Sequence, residues 1–166
     1  GAPMTPRPTR FDPDVIAAAV EELWPLILDW HSDVADNEVG AKADLRDALD
    51  GYEVDGYHLA RHLDKAGWGE VDSALVDVLD QGAAFVRRAH REAIVAWVQR
   101  EGITPAFDSG AKVRSDRMKD GGVGVIAKID ATHAEYVVRL PSLGHVGSGN
   151  GTYGTYLNFE DVEAAK

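Results

Sequence analysis

Residues 121–141 read "GGVGVIAKIDATHAEYVVRLP". Val123 to Ile129 runs apolar and β-branched, Glu135 to Leu140 alternates, and the "ATHA" between them suits a tight turn, so the stretch predicts two paired strands. Everything before Gly102 is written instead in a helical period. The change falls in "ITPAFDSG", residues 103–110, where proline, glycine and alternation replace that period. The chain is therefore expected to be α+β, with a helical bundle over residues 11–102 and a β-domain over residues 106–164. Residues 1–10 read as a flexible lead-in whose "GAP" before Met4 resembles a cloning scar.

Four helical segments precede the strands. "FDPDVIAAAVEELWPLILDWH" begins with Asp12 at the N-cap and Pro13 at the first helical position, and places Val15, Ala19, Leu23, Leu26, Ile27 and Trp30 on one face. Pro25 predicts a kink near Trp24, or two short helices. A second helix in "NEVGAKADLRDALDG" ends near Asp50, and a third in "DGYHLARHLDKAG" packs through Leu59, Leu63 and Ala66 and stops at Gly67. Residues 71–101 then hold a helical period through Leu75, Val78, Leu79, Val86, Ala89, Ala93, Ile94 and Trp97. Gly82 lies within it, so one long helix and two shorter ones are both open readings.

Composition narrows the class. At 45% hydrophobic and 27% charged, the 166 residues belong with globular proteins. No apolar run reaches the length of a membrane span and no signal-peptide pattern is present, which predicts a cytoplasmic protein without membrane contact. The absence of cysteine excludes disulfides, thiolate metal sites and cysteine nucleophiles. The net charge of −11 is uneven: residues 12–80 carry eighteen acidic side chains against four basic ones, a net of −14, which leaves +3 elsewhere. Phosphate backbones are bound by clustered cations, so the front half is a poor nucleic-acid surface.

In residues 110–163, "GAKVRS" is followed by the glycine-led "GGVGVIAKID", the turn "ATHA", "EYVVRL", and a last strand ending in the acidic turn of "YLNFEDVE". This order resembles a small SH3-like barrel of the Tudor or KOW kind. The insertion "PSLGHVGSGNGTYG" exceeds the tight hairpin of such barrels, and "FEDVEAAK" reads as a turn and tail with a final strand barely visible. The resemblance implies binding of peptides, methylated side chains or nucleic acid. It also offers Tyr136, Tyr153, Tyr156 and Phe159 as a groove or aromatic cage, although in so small a barrel half or more of such rings fill the core.

Few residues group as a catalytic site. His58 and His62 stand four apart on one helix face, a spacing that can chelate zinc, but no HExxH glutamate accompanies them and they flank an apolar stripe. "GSGNGTYG" lacks the Lys-Ser/Thr of a phosphate loop, and no GxSxG elbow occurs. A helix-turn-helix over "DGYHLARHLDKAGWGEVDSALVDVLD" would present Asp72, Asp77 and Asp80 to phosphates, so this pair reads as an α-hairpin.

The expectation is thus a non-enzymatic protein-binding regulator, inhibitor or adaptor without a cofactor, a DNA-mimicking inhibitor of a phage or mobile element being one version. Its acidic face would comprise Asp29, Asp33, Asp36, Glu38, Asp44, Asp47 and Asp50 and would meet a basic protein surface. One alternative is a nucleic-acid-associated factor using Arg87, Arg88, Arg91, Lys112, Arg114 and Lys119 as a stripe; another is a metal-dependent enzyme built on His58 and His62. Trp68 reads as an exposed ring that either marks an oligomer interface or packs in the core, and oligomeric state stays open.

Overall fold

The computed structural model describes residues 4–118, 122–140 and 154–165. Helices α1 (Pro13–Trp30), α2 (Glu38–Leu49), α3 (Gly56–Lys65), α4 (Ser73–Leu79) and α5 (Gly82–Glu101) precede strands β1 (Lys112–Arg114), β2 (Val123–Asp130), β3 (Glu135–Arg139), β4 (Gly154–Asn158) and β5 (Glu163–Ala164). The protein is therefore α+β. No helix among the described residues is long and apolar enough to cross a membrane. Two compact units divide between Ala93 and Ile94, inside α5, and not at the break near residue 103 read from the sequence. The last turns of α5 go with the sheet because Ile94, Trp97 and Val98 bury themselves with Ala134.

In the helical unit, residues 6–93, short polar side chains set the helix starts. Asn37, Asp55 and Asp72 each accept an amide N–H from the first turn of α2, α3 and α4 respectively. Asp12 occupies the N-cap of α1, but its carboxylate accepts from Thr9 N and Oγ1 instead of from the helix. A 3-10 helix, Ser32–Asn37, links α1 to α2. α1 continues through Pro25 as one helix, where two had been an open reading. The carbonyl that loses its donor belongs to exposed Glu21, where water can serve it.

The core joins Val20, Leu23 and Ile27 of α1 to Leu45 and Leu49 of α2, Leu59 and Leu63 of α3, Leu75 and Leu79 of α4 and Val86 of α5. Each such side chain contributes about 1.5–3 kcal/mol when fully buried. Ala66, expected in the core, is the C-cap of α3 and exposed; Ala60 is buried in its stead. The run over residues 71–101 is two helices, broken at Asp80–Gln81. α3 and α4 meet closely at Gly56: its N–H donates to Asp80 Oδ1 at 2.6 Å, and a Cβ there would run into Val76 O.

The lead-in is also built into the fold. Arg10 donates to Leu49 O and Gly51 O, both at 3.2 Å, and His90 Nε2 lies 2.9 Å from Pro8 O. Unpaired carbonyls at the end of α2 need donors, which Arg10 supplies. The lead-in expected over residues 1–10 thus makes contacts with the helices at Pro8 and Arg10.

In the other unit the strands pair antiparallel in the order β4-β3-β2-β1-β5. The "ATHA" turn joins β2 to β3, with Ala134 at φ 53 and Asp130 accepting His133 N–H. A 3-10 turn, Phe159–Asp161, leads into β5, whose two residues pair with β1; the expected tail is thus partly a strand. Among the described residues β4 and β5 do not pair, so the sheet is open. Val113, Met118, Ile126, Tyr136, Val138 and Leu157 form its core. Within this unit Trp97 Nε1–H donates to Thr5 O at 2.9 Å and Thr5 Oγ1–H to Glu101 at 2.6 Å.

Candidate functional site

The seven carboxylates singled out in the sequence all lie in the helical unit, which carries nineteen acidic side chains against nine basic ones, a net of −10 over residues 6–93. Asp29, Asp33, Asp36, Asp47 and Asp50 are exposed, and among the described residues none pairs with lysine or arginine. Glu38 is different. It meets Lys42 at 3.0 Å, as does Glu21, and these two carboxylates, Glu38 first, hold the ammonium above its ordinary range. Asp44 serves an internal purpose, accepting the indole N–H of Trp68 at 2.9 Å.

Two grooves on the helical unit each take in one of these acids, Asp33 in the first and Asp47 in the second. The first, of about 400 Å³, is lined by Trp30, His31, Asp33, Val34, Trp68, Gly69 and Glu70. Trp30 closes α1 and Trp68 follows the Gly67 stop of α3, which has φ 99, so both rings are delivered to one place by helix endings. Their planes are 16° apart with centroids at 6.4 Å. Each N–H is anchored: Trp30 donates to Asp72 Oδ1 at 2.9 Å, as Trp68 does to Asp44. Asp72 also caps α4, and the Leu75 amide first and the Trp30 indole second hold its carboxyl below the usual range. Glu70, at φ 58, reaches His31 Nε2 at 2.8 Å.

The second groove, about 570 Å³, lies between the end of α2 and α3 and is lined by Asp47, Ala48, Gly51, Tyr52, Glu53, His58, Arg61, His62 and Lys65. His58, Arg61, His62 and Lys65 follow helical spacing along one face of α3. His58 Nδ1 contacts Asp55 and its Nε2 faces Glu53 at 3.4 Å, so carboxylates occupy both ring nitrogens. The amide and ring of His58 hold the Asp55 carboxyl below its usual range. Among the described residues no group of three or more metal-binding side chains is arranged to hold an ion. Asp33 lines the first groove and Asp47 the second, so the acids named from the sequence do not share one groove.

The suggested basic stripe is spread over two units. Arg87, Arg88 and Arg91 lie on α5 in the helical unit, and Arg88 is bound by Glu22. Lys112 and Arg114 lie on β1, and Lys119 falls outside the described residues.

Of the aromatic set, Tyr136 is fully buried and its hydroxyl accepts the N–H groups of Ala106 and Phe107 at 3.0 and 3.2 Å. Phe159 packs on that ring with centroids 4.4 Å apart. Tyr136 is core, which corrects its assignment to a groove: β3 pairs with β4 in a register that turns Tyr136 and Leu157 inward together, and Phe159 is half-buried against that core. Tyr156 alternates outward and is exposed, while Tyr153 lies outside the described residues. Compared with known proteins, the chain matches no family model, no curated protein and no solved structure.

The sequence reading passed over the Trp30 and Trp68 pair as a site. Its only local signal was a tryptophan beside each helix end with acidic residues nearby, in "LDWHSD" and "GWGEVD".

Proposed function

We propose that this protein is a non-enzymatic binding protein whose helical unit docks on a basic surface of another protein. The observation that carries the reading is the set of exposed carboxylates at Asp29, Asp33, Asp36, Asp47 and Asp50, with no lysine or arginine of the described chain paired to them. Unpaired like charges on one unit repel one another, and a partner bearing arginine and lysine would relieve that repulsion on contact. A regulator, inhibitor or adaptor acting in the cytoplasm fits this physics, a DNA-mimicking inhibitor among them. The α2 and α3 groove supports an enzyme less well, since both His58 nitrogens already face carboxylates.

The β-unit is read as an open SH3-like barrel. The strand order β4-β3-β2-β1-β5 and the 3-10 turn before β5 support this, as that arrangement is what an SH3-like chain path produces. With Tyr136 in the core and Phe159 half-buried against it, an aromatic cage there has lost at least one of its four walls.

The test is capture with a fourfold variant. Asp29→Asn, Asp36→Asn, Asp47→Asn and Asp50→Asn together remove four exposed charges without touching the core. Partners retained from native lysate by the wild type and identified by mass spectrometry should be lost by the variant, with purified-partner affinity falling about tenfold or more. Unchanged affinity would sink the reading.

A further inference from the structure

We propose that the Trp30 and Trp68 groove is a recognition pocket for a cationic side chain, arginine or lysine, presented by a partner protein. The proposal deepens the reading above by assigning one contact within it. Three features of the groove converge on a cation.

The two indoles form an aromatic wall that is oriented before any ligand arrives. A tryptophan half-exposed on a surface ordinarily samples several rotamers, but here each N–H is spent on a carboxylate, Asp72 for Trp30 and Asp44 for Trp68. Donating to an anion also pushes electron density onto the ring, which strengthens the negative face that attracts cations. The bonds that fix the rings thereby tune them.

The charges at the rim have the matching sign. Asp33 and Glu70 line the groove, and among the described residues no lysine or arginine does. Glu70 holds its position in a left-handed backbone conformation, φ 58, that a non-glycine residue rarely adopts, with its carboxylate on His31 Nε2. His31 packs edge-on against Trp30, with ring centroids 5.1 Å apart, and so closes one side.

The size fits a side chain. About 400 Å³ lies at the lower end of the range for small-ligand sites and accommodates a guanidinium or ammonium on its aliphatic stem, the stem lying along Val34. A second copy of the chain is a poor occupant, since the unit bearing the groove has a net charge of −10 and would repel itself.

The probe is a blocked hexapeptide of alternating arginine and glycine, with lysine and glutamate versions as further arms, titrated into 15N-labelled full-length protein. The chain has four tryptophans, hence four indole N–H signals, assigned by Trp30→Phe and Trp68→Phe. Trp24 and Trp97 are buried and serve as internal controls. The arginine or lysine peptide should move the Trp30 and Trp68 signals and leave the other two in place, and the glutamate peptide should move none. Glu70→Gln and Asp33→Asn, both at exposed positions, should each weaken binding about threefold or more without altering the unliganded spectrum elsewhere. The inference is overturned if the Trp30 and Trp68 signals stay fixed, if all four move alike, if neither carboxylate variant weakens binding, or if the shifts track self-association. Retention of partner binding through the remaining carboxylates, with the indoles unmoved, would overturn the pocket and leave the wider reading standing.

Discussion

Tyr136 in the sheet and Trp30 with Trp68 in the helical unit are aromatic side chains with the same need, a partner for one polar handle, met in opposite surroundings. The Tyr136 hydroxyl accepts two backbone N–H groups from the segment entering the sheet, and its ring is fully buried. The indoles donate to side-chain carboxylates, and their rings stay half-exposed at a groove. Satisfying the handle orients a ring in both places. Burial then separates a structural ring, whose bond holds backbone, from one left facing solvent and able to meet a ligand.

The comparison breaks most visibly at Tyr136. Tyr136→Ala leaves a cavity beneath Phe159 and should cost about 3–5 kcal/mol, read as a lower urea midpoint of the sheet. Tyr136→Phe keeps the ring but strands the amides of Ala106 and Phe107, at about 1–3 kcal/mol. A Tyr136→Ala variant as stable as wild type would mean that the ring is no core element.

Asp44→Ala should be milder, about 1 kcal/mol or less, because Trp68 is only partly buried and its N–H can turn to water. The sharper readout is the Trp68 indole signal, which should move toward that of a solvated tryptophan. If Asp44→Ala were to cost as much as Tyr136→Ala, the groove would be core and the contrast would fail.

The smallest effect concerns Asp72. Its carboxyl sits below the ordinary range in the folded state because the Leu75 amide and the Trp30 indole bond its charged form. The stability this contributes is present above the unfolded value, about pH 3.9, and is lost as pH falls through the lower folded value. Urea midpoints followed downward from about pH 5 should therefore drop less steeply in Asp72→Asn than in the wild type. Parallel slopes would mean that the bonded carboxylate is not felt in stability.

The helices were legible in the sequence because their signals are local. Asp55 and Asp72 cap amides three residues away, and the Leu59 and Leu63 spacing is visible within one turn. The paired tryptophans were not, since each indole bond spans a long separation, 42 residues for Trp30 to Asp72 and 24 for Trp68 to Asp44. Tyr136 was ambiguous for another reason. Alternation along β3 says that Tyr136 and Val138 share a face, but only pairing with β2 and β4 decides which face is inward. The lead-in looked flexible because nothing local in "TPRPTR" announces that Arg10 will meet the end of α2.

The account rests on exposed carboxylates of the helical unit meeting a basic partner, and salt tests that most directly. Affinity for a purified partner, measured from about 50 to about 300 mM salt, should fall steeply for the wild type and with a shallower slope for the fourfold asparagine variant. An affinity indifferent to salt, with both proteins alike, would contradict it.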